Sequence, residues 1–307
     1  MNDSESIIDI QGLSKSFNGK KVVDNINMQV RKGEIIGFLG PNGSGKTTTM
    51  RMICGLIHPD TGSGTCLGYD IRDAHKDIKH KIGYMTQKFS LYEDLTIKEN
   101  LEFVARAYNL PNMNNLIQET LKGLGLLERQ NQLTGVLSGG WKQRLALAAS
   151  IIHKPALLLL DEPTAGVDPK ARREFWDQIH KLAAQGLTVL VSTHYMDEAE
   201  RCHRIAYILY GRMLEVGTLD EVITRSNLST WTVSGEKLGD LGTEIKTMPG
   251  VGQVTYFGNT LHVTGLDAQS LEKSMSELGA QGTYKVEPGK TTLEDVFISY
   301  MEKANIK

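Results

Sequence analysis

The chain has 307 residues, 40% of them hydrophobic and 23% charged, which excludes a disordered polymer and favours two domains over one core. Its 34 basic and 36 acidic side chains leave a net charge of −2. That excludes a protein holding nucleic acid by bulk positive charge, so no direct nucleic-acid partner is expected.

The longest unbroken apolar runs, such as Ala156 to Leu160, are far shorter than the ~20 residues of a membrane-spanning helix. The N-terminal stretch MNDSESIIDIQ is acidic and polar where a secretory leader carries positive charge and then an apolar run, so the chain is expected to stay in the cytoplasm. Cys54, Cys66 and Cys202 are odd in number and widely spaced, with no CxxC pair. They are expected to be reduced and structural, forming neither a disulfide framework nor a zinc site.

Residues 7–30 alternate short β-branched runs around the turn signal Asn18-Gly19-Lys20, which predicts an antiparallel β layer. The apolar run Glu34 to Leu39 then enters a glycine-rich loop, and the following TTTMRMICGL suits a helix. Residues 94–136 carry helical patterns, including Leu116, Ile117, Leu121 and Leu124, broken at Pro111 and Gly125; a helical subdomain over about 90–150 is expected. The runs Ala156–Leu160 and Leu187–Val191 lack the alternation of a half-exposed strand, as parallel strands buried on both faces should. Between them, residues 170–184 place Phe175, Ile179, Leu182 and Ala183 at helical spacing, completing a strand, helix, strand crossover of an α/β core. After Gly217, strand-like runs appear at Thr230–Val233, Val251–Phe257, Leu261–Thr264 and Tyr284–Val286, with a helix near Ala268–Leu278. They predict a small C-terminal α+β domain over 225–307, after a larger first domain over 5–224.

Gly40-Pro41-Asn42-Gly43-Ser44-Gly45-Lys46-Thr47 fits G-x-x-x-x-G-K-[ST] between a predicted strand and a predicted helix. Glycines let successive backbone N–H groups approach a phosphate, and the helix start adds its positive dipole end. Lys46 is expected to reach the β and γ phosphates, Thr47 to offer its hydroxyl to Mg²⁺, and Thr48 to add a contact nearer the ribose. The fold implied is a P-loop NTPase core. Leu157-Leu158-Leu159-Leu160-Asp161-Glu162-Pro163 is a buried strand ending in two carboxylates, a costly arrangement unless a cation or a reaction uses the charge. Asp161 is placed to hold Mg²⁺, and Glu162 is the candidate base that polarises an attacking water. Leu137-Ser138-Gly139-Gly140-Trp141 precedes a helix and reads either as a second anion site or as an ordinary cap in which Ser138 satisfies the first turn.

Together with Gln87 after IGYMT, Asp168 in AGVD and His194 in STH, these motifs resemble the ATP-binding cassette (ABC) ATPases over about residues 5–220, in order and spacing. The resemblance implies a head-to-tail homodimer, or a pair with another ATPase subunit, with ATP at its interface. Each ATP lies between one protomer's phosphate loop and the partner's Ser138, Gly139, Gly140 and Trp141. It implies that Phe17 stacks on adenine, against the alternative of a hairpin core residue. Gln87 senses Mg²⁺ and the attacking water, His194 contacts the γ-phosphate, and Asp168 lies at the dimer interface. The family signature commonly has Gln where this chain has Trp141, which implies altered turnover.

The run Thr291–Ile298 is similar to the ending of ATPases serving bacterial drug and small-molecule exporters. The function implied is the ATP-hydrolysing subunit of an exporter, on the cytoplasmic face of the cell membrane, docked on a separate integral membrane subunit. The segment from Gln87 to Leu101 is the candidate contact, with Phe89, Leu91 and Tyr92 either filling a partner pocket or covering the subdomain's own core. Rival readings are a soluble ABC ATPase of translation or DNA repair, disfavoured by a single cassette, and an ATP-gated regulatory module.

Overall fold

A computed structural model describes residues 6–305. Residue 5, the expected start of the first domain, and the first five residues of the stretch read for a leader lie outside the described residues. The chain divides into two compact units, Met1–Val216 and Gly217–Lys307.

In the first unit, β1 (Ser6–Phe17) and β2 (Lys20–Arg31) form an antiparallel hairpin. Asn18 and Gly19 at its turn both have positive φ (49° and 77°), as a tight two-residue hairpin turn requires. Next come β3 (Ile35–Leu39), α1 (Lys46–Ile53), β4 (Thr61–Cys66), β5 (Tyr69–Asp70), α2 (His75–Lys81) and β6 (Ile82–Met85). The helical segment follows, as α3 (Ile97–Ala107), α4 (Met113–Gly123) and α5 (Gly139–Ile151). The chain returns through β7 (Leu157–Asp161), α6 (Pro169–Ala184), β8 (Thr188–Thr193), α7 (Met196–Ala199), β9 (Arg204–Leu209) and β10 (Arg212–Gly217).

One sheet has the order β2-β1-β4-β5, the other β10-β9-β3-β8-β7-β6. In the second, β9, β3, β8, β7 and β6 pair parallel. All residues of β3, β7 and β8 are buried. Their faces divide cleanly: Leu157 and Leu159 join a core with the hairpin and α1, while Leu158 and Leu160 join a second core with Leu101, Leu121, Leu145 and Trp176 of the helices. Apolar residues on both faces explain the unbroken run in the sequence. The register sets Leu39 beside Thr193 and Ser192 beside Asp161, so the carboxyl ends of β3, β8 and β7 lie side by side. Ligands of open α/β sheets bind at such an edge.

The second unit contains α8 (Leu219–Ser226), β11 (Ser229–Ser234), α9 (Leu238–Ile245), β12 (Gln253–Phe257), β13 (Thr260–Gly265), α10 (Ala268–Ala280), β14 (Lys285–Pro288) and α11 (Leu293–Asn305). Its antiparallel sheet, β12-β13-β11-β14, buries Val233, Leu261 and Val263 against Leu271 and Met275 of α10. The division falls before α8, not after residue 224 as the sequence suggested, because α8 packs against α11. A capping box of Thr218 and Glu221 opens α8. Thr291–Ile298 runs into α11, with buried Asp295 accepting a hydrogen bond from the Thr292 N–H at 2.8 Å.

Candidate functional site

The loop after β3 turns back at Gly43 and Gly45, whose φ values of 78° and 101° favour glycine. At Gly45 a Cβ would stand 2.7 Å from the Val22 carbonyl oxygen, so no larger residue fits. The loop and the start of α1 enclose a cavity of about 220 Å³ lined by Gly43, Ser44, Lys46, Thr47, Gln87 and Glu162, among others. Lys46 is 4% exposed. Its Nζ donates to the carbonyls of Gly40 (2.7 Å) and Pro41 (3.0 Å) and stands 3.6 Å from Glu162 Oε1. Burial pulls the Lys46 ammonium below its ordinary pKa, opposed by the Glu162 and Asp161 carboxylates. Ser44 Oγ, buried beside it, has no hydrogen-bond partner within the described residues.

Asp161 ends β7 fully buried. Its Oδ1 accepts from Thr47 Oγ1 (2.9 Å) and Ser192 Oγ (2.7 Å), and its Oδ2 from the Tyr84 hydroxyl (3.4 Å). Burial pushes the Tyr84 phenol up to about 12, so it stays a donor. Thr47 and Asp161, expected to share a metal, are therefore in direct contact. No group of three or more His, Cys, Asp or Glu able to hold a metal occurs among the described residues. One hydroxyl and one carboxylate instead suit a hard cation that keeps phosphate and water ligands, which fits Mg²⁺.

Glu162 has φ of 46°, in the left-handed region, where a non-glycine residue costs ~1–3 kcal/mol. Its N–H donates to Ser192 Oγ at 3.0 Å, which helps to hold the bend. The turn brings its carboxylate to three sequence-distant groups. Gln87 Nε2 donates to Oε2 at 2.9 Å, His194 Nδ1 lies 3.5 Å from the same oxygen, and Lys46 faces Oε1.

The signature segment is built differently. Ser138 begins α5 with extended backbone, but its side chain makes no capping hydrogen bond, which removes the ordinary-cap reading. Ser138 and Gly139 are exposed, and neither they nor Gly140 line the phosphate-loop cavity. Gly140 is tight, since a Cβ there would stand 2.7 Å from the Ala171 Cβ of α6. Trp141 packs half-buried against the helical core, with the guanidinium carbons of Arg129 and Arg144 at 4.5 and 4.9 Å from its ring centre. Arg144 also pairs with Glu174 of α6.

A sequence profile of the ABC transporter family matches residues 23–165. The linearmycin resistance ATP-binding protein LnrL of Bacillus subtilis is 36% identical over 90% of both chains. The chain belongs to the ABC transporter family. The probable multidrug ABC transporter ATP-binding protein YbhF of Escherichia coli is 44% identical over 72% of this chain, which spans 39% of YbhF's length. A solved ATP-binding subunit of an ABC transporter superposes with a TM-score of 0.65 at 29% identity, covering 71% of this chain and 92% of its own. A dimeric ATP-binding cassette in a post-hydrolysis state with ADP and Pi gives 0.64 at 28% identity, covering 69% and 98%.

The remaining site residues of this ABC cassette fall as follows. Asp168 caps α6 by accepting from the Ala171 N–H at 3.0 Å, with Pro169 opening the helix. Phe17, at the end of β1, is 44% exposed with Lys15 Nζ 5.6 Å from its ring centre, so it is no hairpin core residue. Val22, not Phe17, lines the phosphate-loop cavity. Phe89 and Leu91 pack half-buried on the helical core, whereas Tyr92 is 50% exposed. Sequence reasoning missed Tyr84, Ser192 and Val22. Only Ser192, in the VLVST run before His194, carried a usable signal.

Proposed function

We propose that the chain binds ATP in the phosphate loop and hydrolyses it with Glu162 as the general base, powering export through a separate membrane subunit. The observation that carries this reading is the convergence of Lys46, Gln87 and His194 on the Glu162 carboxylate at the mouth of a phosphate-sized loop. Glu162 accepts the proton of an attacking water, Gln87 and His194 orient that water and the γ-phosphate, and Lys46 leaves its loop carbonyls for the β and γ phosphates. Thr47 and Asp161, with Gln87 beside them, would hold Mg²⁺, which supplies charge neutralisation at the β and γ phosphate oxygens. Thr48 adds a contact to the phosphates, and Phe17 offers its exposed ring to adenine from outside the cavity.

The exposed Ser138 and Gly139 have no role at their own chain's loop. They serve the γ-phosphate of a partner's ATP in a head-to-tail dimer, with Gly140 and Trp141 fixing their helix and Asp168 facing the partner. ATP then binds the closed dimer more tightly than the open one, and hydrolysis removes the bridge.

The relatives' names support export of drugs or other small molecules: alongside multidrug and linearmycin proteins stands a daunorubicin/doxorubicin resistance ATP-binding protein of Streptomyces peucetius, 39% identical over 66% of its length. No helix among the described residues is long and apolar enough to cross a membrane; the transmembrane path is assigned here to a partner. A cavity of about 160 Å³ lined by Thr86, Phe89, Leu91, Val104 and Tyr108, among others, suits a cytoplasmic helix of that partner. The chain thus works on the cytoplasmic face of the cell membrane, its second unit accessory to the cassette.

Glu162→Gln tests the reading. The variant keeps ATP affinity, loses turnover by ~10²–10⁴-fold, and accumulates as an ATP-bound dimer in size-exclusion chromatography. Normal turnover in this variant removes Glu162 from the base role.

A further inference from the structure

Behind the site sits a third carboxylate, which pairs with none of the groups assigned to nucleotide. Glu198, on α7, is 1% exposed. The Thr164 hydroxyl donates to its Oε1, and the Thr193 hydroxyl donates to its Oε2 at 2.6 Å. Arg172 Nε stands 3.6 Å from Oε1, and Arg172 Nη1 stands 3.5 Å from Asp197. The same guanidinium lies over the Tyr195 ring at 4.4 Å, and that ring contacts the His194 imidazole with centroids 4.1 Å apart. Thr193 Oγ1 accepts in turn from the Tyr195 N–H at 3.0 Å.

The partners matter by their places in the chain. Thr164 lies on the segment between Glu162 and Asp168, Thr193 immediately precedes His194, and Arg172 sits on α6, the helix that Asp168 caps. Burying a carboxylate is unfavourable until its partners offset it, and an apolar side chain would fill the same space more cheaply. What a carboxylate adds is direction: it fixes the rotamers of two hydroxyls and orients one guanidinium at once.

We propose that Glu198 is a positioning residue for ATP turnover, locking the Glu162–Asp168 segment to the Thr193–His194 end of β8. Glu162 and His194, on two different strand ends, then approach the γ-phosphate as one body. The inference rests on the roles given above to Glu162 and His194. Glu198 has its polar partners in Thr164, Thr193 and Arg172 and not in these two side chains, so its removal alters their alignment and leaves the phosphate loop intact.

The test uses the purified full chain, with wild type, Glu198→Ala, Glu198→Gln, Thr164→Val and Thr193→Val compared by ATP turnover and by equilibrium ATP binding in the presence of Mg²⁺. Glu198→Ala lowers kcat by ~10–100-fold, the scale of a small misalignment, and shifts ATP Kd by less than about twofold. Glu198→Gln, which keeps one acceptor oxygen, recovers part of that loss. The threonine variants, each removing one hydroxyl, keep the test open if Glu198→Ala fails to fold, and each loses kcat several-fold with Kd unchanged. Wild-type kcat in the folded variants, or Kd rising in step with the loss of kcat, overturns the proposal. A wild-type chain that hydrolyses no ATP overturns the ATPase reading itself and removes the basis of this one.

Discussion

The phosphate loop and the signature loop each precede a helix, yet the chain finishes the first and leaves the second open. Around the phosphate loop, Lys46, Thr47, Asp161, Glu162 and Gln87 are hydrogen-bonded to one another or to the loop backbone. At the signature, Ser138 leaves its own helix uncapped by its side chain and stands exposed beside Gly139. A pocket that is organised before its ligand arrives suits chemistry, and a surface that presents unspent groups suits a partner. Under the proposed head-to-tail dimer, this difference means that one protomer holds a binding site and half of a reaction site.

Mixing two inactive variants puts the largest effect on that contrast. Lys46→Ala and Ser138→Arg chains, each inactive alone, regain activity on mixing, because a two-fold dimer then contains one site with an intact loop and an intact signature; roughly a quarter of wild-type ATPase is expected if sites act independently. No recovery, with mixed dimers verified by tagged pull-down, breaks the comparison. Next in size is Trp141→Gln. It removes two guanidinium contacts worth ~0.5–1 kcal/mol each and loosens the link from α5 through Arg144 to Glu174, so melting temperature falls and turnover changes while ATP affinity holds. Unchanged ATPase kinetics in this variant show that the departure from the family signature has no consequence for coupling.

Much of this was legible in the sequence where one residue type has one physical use. The glycines of the loop, the acidic end of the LLLL run and the unalternating strands each state their environment locally. The elements that escaped are those whose stability is tertiary. β4, with the sequence TGSGTC, has too few β-branched residues to read as a strand and exists because β1 pairs with it. α8 announces its start in the Thr218–Glu221 capping box, and counting it with the second unit moves the boundary to Gly217. At the site, Tyr84 and Val22 come from strands with no motif of their own, and Glu198 looks like any exposed helical acid until Thr164 and Thr193 close on it. Phe89, Leu91 and Tyr92 carried the same apolar signal, and only packing separates the first two from the third.

A finer pair of substitutions sharpens the contrast between the two helix starts. Asp168→Ala removes a real cap and costs ~1 kcal/mol in urea unfolding, whereas Ser138→Ala changes stability by less than ~0.5 kcal/mol but weakens ATP-driven dimerisation. Equal stability losses would return Ser138 to an ordinary capping role. The smallest effect concerns the cysteines. Burial pushes the Cys54 thiol up to about 11 and Cys66 up to about 12, and raises Cys202 as well, so iodoacetamide at pH 8 leaves the folded chain unlabelled. Because these folded values lie above the ordinary 9.0, the thiols favour folding below that pH, and stability falls as pH rises from about 9 toward 11. Labelling at pH 8 in the folded state breaks this prediction.

The ammonium of Lys46 is already engaged by the carbonyls of Gly40 and Pro41. On the proposed role of Lys46, nucleotide association is an exchange reaction, in which phosphate oxygens compete with two peptide oxygens for the ammonium. The heat released on titration reads the difference between the two sets of hydrogen bonds and not the sum of the new ones.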